Sequence, residues 1–164
     1  MAESFANADR RGRDLRGQDL RGADFSGADL TLARLSGADL KGASFRGAIL
    51  RDSFLDGTDV SGADFREADL EFAVLGGAKA AGADFRNANL KRSNLVGIAA
   101  HAADFRGADL FLARPGNADL SKADLRDAHL DRAIMRRANL ARADLRGASG
   151  TPNLENANLE MAQR

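Results

Sequence analysis

Residues 22–30 read GADFSGADL, and close copies of the phrase A-D-[LF]-x-G follow almost to the end of the 164-residue chain. The large apolar residue of each phrase, which we call the centre, falls at every multiple of five from position 5 to position 145. Of these 29 consecutive pentads, 25 have Leu, Phe, Val or Met at the centre, and 25 have Ala, Ser or Thr two residues earlier. The exceptions at the centre are Arg10, Ala80, Ala100 and Pro115. A five-residue repeat therefore governs nearly the whole chain.

The five-residue period is incompatible with an α-helix that keeps one apolar face. Five residues advance a helix by about 500°, so successive centres would lie about 140° apart. In extended backbone, by contrast, the centre and the small residue two positions earlier point to the same side. Glycine two after the centre, as at Gly22, Gly27 and Gly37, permits a tight corner. Each pentad is therefore predicted to form one short extended side followed by one corner.

The number of sides in a coil follows from two markers that recur every twenty residues. Phe is the centre at positions 5, 25, 45, 65, 85 and 105, and Arg follows the centre at 46, 66, 86, 106, 126 and 146. Four sides per coil place each marker in one stacked column, so the sequence predicts an all-β, four-sided coil with a filled interior. The predicted core includes Phe25, Phe45, Phe65, Phe85, Phe105, Leu30, Leu70 and Leu110.

The phrase A-D-[LF]-x-G, with an inward centre and an inward Ala, is the signature of the pentapeptide-repeat family, which the chain resembles over nearly its whole length. The resemblance implies a right-handed quadrilateral parallel β-helix of about seven to eight coils. We expect a single domain over residues 1–164, regular over 3–147 and irregular over 148–164. Near that end the next centres are Leu154 and Leu159, so either one residue is lost or a four-residue loop follows Leu145. The sequence leaves open whether this segment forms a further coil or a loop and cap.

Apolar and basic residues replace the expected Gly, Asp or Asn at several outward positions near the third side of the coil. They are Leu32, Arg34, Phe54, Phe72, Val74, Leu112, Arg114 and Ile134, which we call the stripe. An exposed apolar stripe on a charged rod is typical of a contact surface. The alternative is that these side chains pack against neighbouring corners and are partly covered.

The composition favours no catalytic chemistry. The chain has 24 Lys and Arg against 24 Asp and Glu, no Cys, and two His residues, His101 and His129, on different sides. We therefore expect no enzyme, no catalytic or metal site, no cofactor and no direct binding of nucleic acid or membrane. The repeated Asp residues beside the Arg column are interpreted as a neutral surface motif that keeps the rod soluble. Without a signal peptide or an apolar run of about 18 residues, the chain is expected to be cytoplasmic.

Two functions remain compatible with these features. The first is a non-catalytic interaction protein with an unidentified partner, which it contacts through the stripe or through a rod end, including an end-to-end homodimer. The second comes from the resemblance, which implies a DNA-mimicking protein that binds a type II topoisomerase such as gyrase and protects it from quinolones or toxins. Mimicry requires an acidic face, and here the Arg column and the basic residues of the third side oppose the Asp columns.

Overall fold

Residues 3–164 of a computed structural model are described, and they form a right-handed four-sided parallel β-helix. Its strands are single-residue parallel β-bridges, which run from Ser4–Asp24 to Asp144–Gln163. Each bridge joins the residue before a centre to its counterpart in the next coil, normally twenty residues later, and a two-residue turn follows each centre. The described residues contain no helix, and hence none able to cross a membrane. The predicted four sides per coil are therefore confirmed.

Hydrogen bonds between adjacent coils satisfy most of the backbone. The N–H of Leu30 donates to the carbonyl of Ile49 in the next coil at 2.7 Å, and the N–H of Ile49 donates back to the carbonyl of Ala28 at 2.9 Å. Within the pentad, Ala33 N–H closes the corner by donating to Leu30 C=O at 2.9 Å. Because the same pattern recurs in most pentads, the coils stack as parallel strands do, at about 4.8 Å.

The interior is filled by columns of identical side chains. From Phe5 to Phe105, six stacked rings have centroids 4.7 to 5.1 Å apart. The predicted core residues are all at most 1% exposed: Phe25, Phe45, Phe65, Phe85, Phe105, Leu30, Leu70 and Leu110. Between residues 23 and 143, the residue two positions before each centre is also buried and is nearly always Ala, because a narrow four-sided interior has no room for two large residues per side.

We number the faces by their centres, so Phe25, Leu30, Leu35 and Leu40 belong to faces 1, 2, 3 and 4. On face 3 the ladder is interrupted at Pro115, which has no N–H to donate. No bridge joins Arg114 to Ile134, although the neighbouring bridges from Asn94 to Arg114 and from Ile134 to Asn153 are intact. The interruption at Pro115 is thus confined to one missing hydrogen bond.

The register changes near residue 150 through the loss of one residue. His129 pairs with Ser149 twenty residues later, whereas Ile134 pairs with Asn153 after only nineteen. The chain then continues as coil, since Leu154 and Leu159 are partly buried and pack against the core. Of the two alternatives left by the sequence, the structure has the deletion and not the four-residue loop.

Candidate functional site

Aspartate or asparagine before a centre caps the corner that follows it. In the pentad of Phe65, one carboxylate oxygen of Asp64 accepts the N–H of Arg66 at 3.0 Å, and Asn94 accepts the N–H of Val96 in the same way at 3.1 Å. Such side-chain acceptors two residues upstream stabilise turns whose N–H group has no backbone partner. The repeated Asp therefore has a structural role in addition to the charge interpreted from the sequence.

Face 1 carries a continuous ladder of paired charges. Arg66 contacts Asp64 of its own coil at 2.6 Å and Asp84 of the next coil at 3.6 Å. Arg86 repeats this pattern with Asp84 at 2.6 Å and Asp104 at 3.6 Å, and the pattern continues to Asp144. Since each carboxylate lies against a guanidinium, face 1 presents alternating charge and not a row of free anions.

The Asp–Arg pairs of face 1 should stabilise the fold at neutral pH and lose this contribution only in strong acid. The Arg146 side chain donates hydrogen bonds to Asp144 and lowers the pKa of that carboxyl from 3.8 to about 2. Because the pKa is lower in the folded state, the contribution to stability is present above about pH 4 and is lost as the pH falls towards 2. We expect Asp144→Asn to lower Tm at pH 6 and to leave Tm nearly unchanged at pH 2. A Tm difference between wild type and variant that is the same at both pH values would contradict this.

The structure places the stripe on face 3 and on the corner between faces 2 and 3. Arg34, Phe54 and Val74 are bridged in one outward column on face 3, which continues through Asn94 to Arg114. Ile134 lies in the next coil of the same column, beyond the interruption at Pro115. Leu32, Phe72 and Leu112 occupy the corner position in every second coil. The structure therefore brings all eight residues to one side of the rod.

Most of the apolar side chains in the stripe are exposed. Leu32 is 55% exposed, Phe72 47%, Phe54 42% and Ile134 41%, whereas Val74 and Leu112 are half-buried. Packing against neighbouring corners thus covers some of them in part and leaves the others accessible. The guanidinium of Arg92 lies over the Phe72 ring at 5.4 Å from its centroid, which adds a basic group to this surface.

The corner residues of the stripe adopt an unfavourable backbone conformation. Leu32 and Phe72 have φ of 60° and Leu112 has φ of 58°. For a bulky L-residue this left-handed conformation costs on the order of 1–2 kcal/mol, whereas Gly adopts it without this cost. Seventeen non-Gly residues of the described chain share this conformation, and most of them are polar or charged. Leu32, Phe72 and Leu112 differ from these in placing a large apolar side chain at a corner.

Face 3 is also the face on which the capping carboxylate is most often missing. Where Arg, Phe, Val or Ile precedes the centre, the N–H one after the centre has no hydrogen-bond partner among residues 3–164. On face 3 these uncapped N–H groups belong to Ser36, Asp56, Gly76, Gly116 and Arg136. On the other faces Ser, Ile, His, Lys or Ala precedes the centre where a cap is missing. The uncapped N–H groups there belong to Ala6 and Arg46 on face 1, Arg51 and Asp131 on face 2, and Ala81 and His101 on face 4.

The remaining outward positions of face 3 give it a basic character. Its basic residues are Arg16, Arg34, Arg114, Arg136 and Arg137, and its acidic residues are Asp14, Asp56 and Glu155. No ion pair is found for Arg114 or Arg137 within the part of the chain that the structure describes. An open depression of about 290 Å³ on this face is lined by Gly116, Asn117, Ile134, Arg136 and Arg137.

Sequence reasoning missed one apolar residue of this surface and the uncapped N–H groups. Val96 is 40% exposed and lies one after a centre on face 3, between Gly76 and Gly116 of the adjacent coils. An apolar residue at that outward position was a readable signal. The uncapped N–H groups could be recognised only once the capping role of Asp was known from the hydrogen bonds.

The two histidines lie apart and form no metal site. His129 contacts Asp109 on face 2 at 3.2 Å, and His101 hydrogen-bonds Ser121 on face 4 at 2.9 Å. Residues 3–164 contain no group of three or more His, Asp or Glu side chains arranged to hold a metal ion.

Comparison with solved structures identifies similar repeat proteins. HetL, a pentapeptide repeat protein from the cyanobacterium Nostoc sp. strain PCC 7120 involved in the regulation of heterocyst differentiation, is 26% identical. The match covers 98% of this chain and 87% of HetL, with a TM-score of 0.50. A second Nostoc protein, Alr5209, is 32% identical over 72% of this chain and 78% of its own, with a TM-score of 0.41. QnrB1, a plasmid-mediated fluoroquinolone resistance protein, is 24% identical over 90% of this chain and 80% of its own, with a TM-score of 0.49.

Comparison with curated proteins gave no match. The family model for pentapeptide repeats matches in eight copies, over residues 4–37, 14–47, 28–67, 68–110 and 116–149. These ranges include most of the chain. The chain therefore belongs to the pentapeptide-repeat family.

Proposed function

We propose that this protein is a non-catalytic interaction protein that binds another protein through the stripe. The observation that carries the proposal is the exposure of Leu32 and Phe72 at left-handed corners where Gly would favour folding. Their recurrence in every second coil spaces them roughly 10 Å apart, so a partner can contact several at once. Exposed apolar residues that form a contiguous patch with a polar rim are typical of protein interaction sites.

The test is a triple variant, Leu32→Asp/Phe72→Asp/Leu112→Asp, compared with wild type by pull-down and by sedimentation. Asp tolerates the left-handed conformation better than Leu or Phe, and Asp52 already has φ of 55° on the same corner. We therefore expect the variant to fold with an equal or higher Tm and to lose the bound protein almost completely. If the variant binds the same proteins as wild type and self-associates to the same extent, the stripe is not the binding surface.

A matched control separates loss of the surface from added charge. The variant Asn7→Asp/Asn87→Asp/Ala102→Asp also adds three negative charges at left-handed corners, where φ is 54–56°, but it leaves the stripe intact. We expect this control to bind as wild type does. If it loses the partner equally, net charge and not the stripe determines binding.

The alternative function is that of a DNA-mimicking protein that binds a type II topoisomerase such as gyrase and protects it from quinolones or toxins. It is suggested by the family and by the likeness to a fluoroquinolone resistance protein, which at 24% identity concerns the fold alone. The alternation of Arg and Asp on face 1 weighs against it, because phosphate mimicry requires closely spaced anions without neutralising partners. A gyrase supercoiling assay, with and without a quinolone, separates this function from the one proposed.

A second copy of this chain, bound at one end of the rod, is another partner compatible with the fold. In the last coil, Leu145, Leu154 and Leu159 are only partly buried, and a depression of about 230 Å³ lies beside Leu145 and Leu154. A second copy stacked there would cover these side chains and the open backbone edge. The sedimentation measurement described above reports such a homodimer directly, and the stripe variant leaves this surface unchanged.

A further inference from the structure

Backbone N–H groups without a partner in the described chain lie beside the stripe on face 3, and they indicate which chemical groups a binding partner should supply. In most pentads the Asp or Asn before a centre accepts the N–H of the corner, but Val74 and Arg114 cannot do so. The N–H groups of Gly76 and Gly116 consequently lack a partner among residues 3–164, and glycine has no side chain to cover them. A carboxylate supplied from outside would fit these positions in the way that Asp64 fits the N–H of Arg66.

The charge around these donors favours an acidic partner. Arg34 and Arg114 lie four coils apart in one column, on either side of Phe54 and Val74, and Arg34 is also 4.0 Å from Asp14 of the preceding coil. At a coil spacing of about 4.8 Å, this places two cations roughly 19 Å apart with apolar side chains between them. Complementary charge accelerates association and selects the partner.

The spacing of the coils fits a helix better than a strand. Gly76 and Gly116 are two coils apart, roughly 10 Å along the rod. Residues seven apart on one face of an α-helix are separated by about 10.5 Å. On one face of a strand, residues two or four apart are separated by about 7 or 13 Å, which matches neither one nor two coils.

We propose, building on the function proposed above, that face 3 binds an acidic amphipathic helix of a partner protein. Three carboxylates spaced seven residues apart on this helix meet this face: the first pairs with Arg34, and the second and third accept the N–H groups of Gly76 and Gly116. The third carboxylate also lies beside Arg114. Apolar side chains on the same face of the helix contact Phe54 and Phe72. The partner thus completes, from outside, the corner caps that the repeat lacks on face 3.

The probe is a pair of fluorescent Ala-based helical peptides of about 21 residues. Both peptides have Leu on one face of the helix. On the same face, at positions seven residues apart, one peptide has Glu and the other has Lys. We expect the Glu peptide to bind the wild-type protein at least tenfold more tightly than the Lys peptide in fluorescence anisotropy. We also expect binding to weaken with salt and to protect the amides of Gly76 and Gly116 from hydrogen exchange.

Two double variants test the role of the uncapped N–H groups. Val74→Asn/Arg114→Asn supplies a side-chain acceptor to both corners, as Asn94 does for Val96, whereas Val74→Ala/Arg114→Ala does not. The two variants have the same charge and lack the same side chains. We expect the Asn pair to bind the Glu peptide at least fivefold more weakly than the Ala pair, and to have an equal or higher Tm.

The outcomes distinguish this inference from the proposed function. Equal binding of the Asn and Ala pairs would overturn the role of the N–H groups. Tighter binding of the Lys peptide, lost in the Leu32→Asp/Phe72→Asp/Leu112→Asp variant, would overturn the acidic partner while supporting the stripe as a contact surface. If neither peptide binds, the proposal of an acidic helical partner is wrong. The pull-down with the triple Asp variant then tests separately whether the stripe binds a protein.

Discussion

Phe65→Ala is expected to lower the free energy of unfolding by about 3–5 kcal/mol, the largest effect of any single substitution considered for this protein. The Phe65 ring is fully buried, and its centroid lies 4.7 Å from that of Phe45 and 4.9 Å from that of Phe85. Its removal leaves a cavity in the middle of the column that backbone movement cannot fill, because the coils on both sides fix the strand spacing. For a chain of this size, Tm should fall by about 10 °C, as measured by calorimetry or circular dichroism.

Phe65→Leu is the matched control. The same column continues with Leu125 and Leu145, so Leu is compatible with this face. We expect this variant to lose less than about 1.5 kcal/mol, as is usual for a substitution that keeps most of the volume. Equal losses for Ala and Leu would show that the stacked rings do not determine the stability of the column.

Gly150→Ala is expected to detach the last coil, at a cost of more than about 2 kcal/mol. Gly150 has φ of 92° at the point where one residue is missing from the repeat. A Cβ at this position would overlap the backbone nitrogen of Asp131 and lie 2.5 Å from its Cα. Since backbone and not a flexible side chain is in the way, the coils must move apart. Amide hydrogen exchange over residues 151–164 should accelerate strongly and Tm should fall.

Gly57→Ala provides the comparison for Gly150→Ala. Gly57 also has positive φ, 64°, but a Cβ added there meets no atom within 4 Å. The cost should therefore be limited to the left-handed conformation itself, about 1 kcal/mol. If both variants have the same Tm and the same exchange near the C-terminus, the close approach to Asp131 has no energetic consequence.

The fold could be predicted from the sequence because the columns are visible in it. The Phe and Arg markers recur every twenty residues, and the structure stacks each marker in one column. The same spacing predicted which apolar residues share face 3, and the bridges between Arg34, Phe54 and Val74 place them there. In a strict repeat, residues with the same position in the repeat stack in the same column, so their neighbours in space can be predicted from their numbers. The sequence of an ordinary globular protein has no such regular relation.

The hydrogen-bonding role of the repeat could not be predicted in the same way. The Asp columns were interpreted as surface charge, whereas their first role is to accept the corner N–H, as Asp64 does for Arg66. This acceptance depends on side-chain geometry at the corner that a pattern of letters does not contain. The change of register near Gly150 was likewise visible as an irregularity, but both a deletion and a loop satisfied the apolar spacing of Leu154 and Leu159.

The twenty-residue period also restricts how the chain can change in length. An insertion of five residues between Leu75 and Leu110 would leave every inward position inward, and the interior would remain filled. It would nevertheless turn all later residues by a quarter of the circumference, and Leu112 and Arg114 would leave the side that carries Leu32 and Phe72. Only insertions or deletions of whole coils keep the outward residues of face 3 aligned. The outward residues, and not the packing of the interior, therefore limit which insertions and deletions preserve this surface.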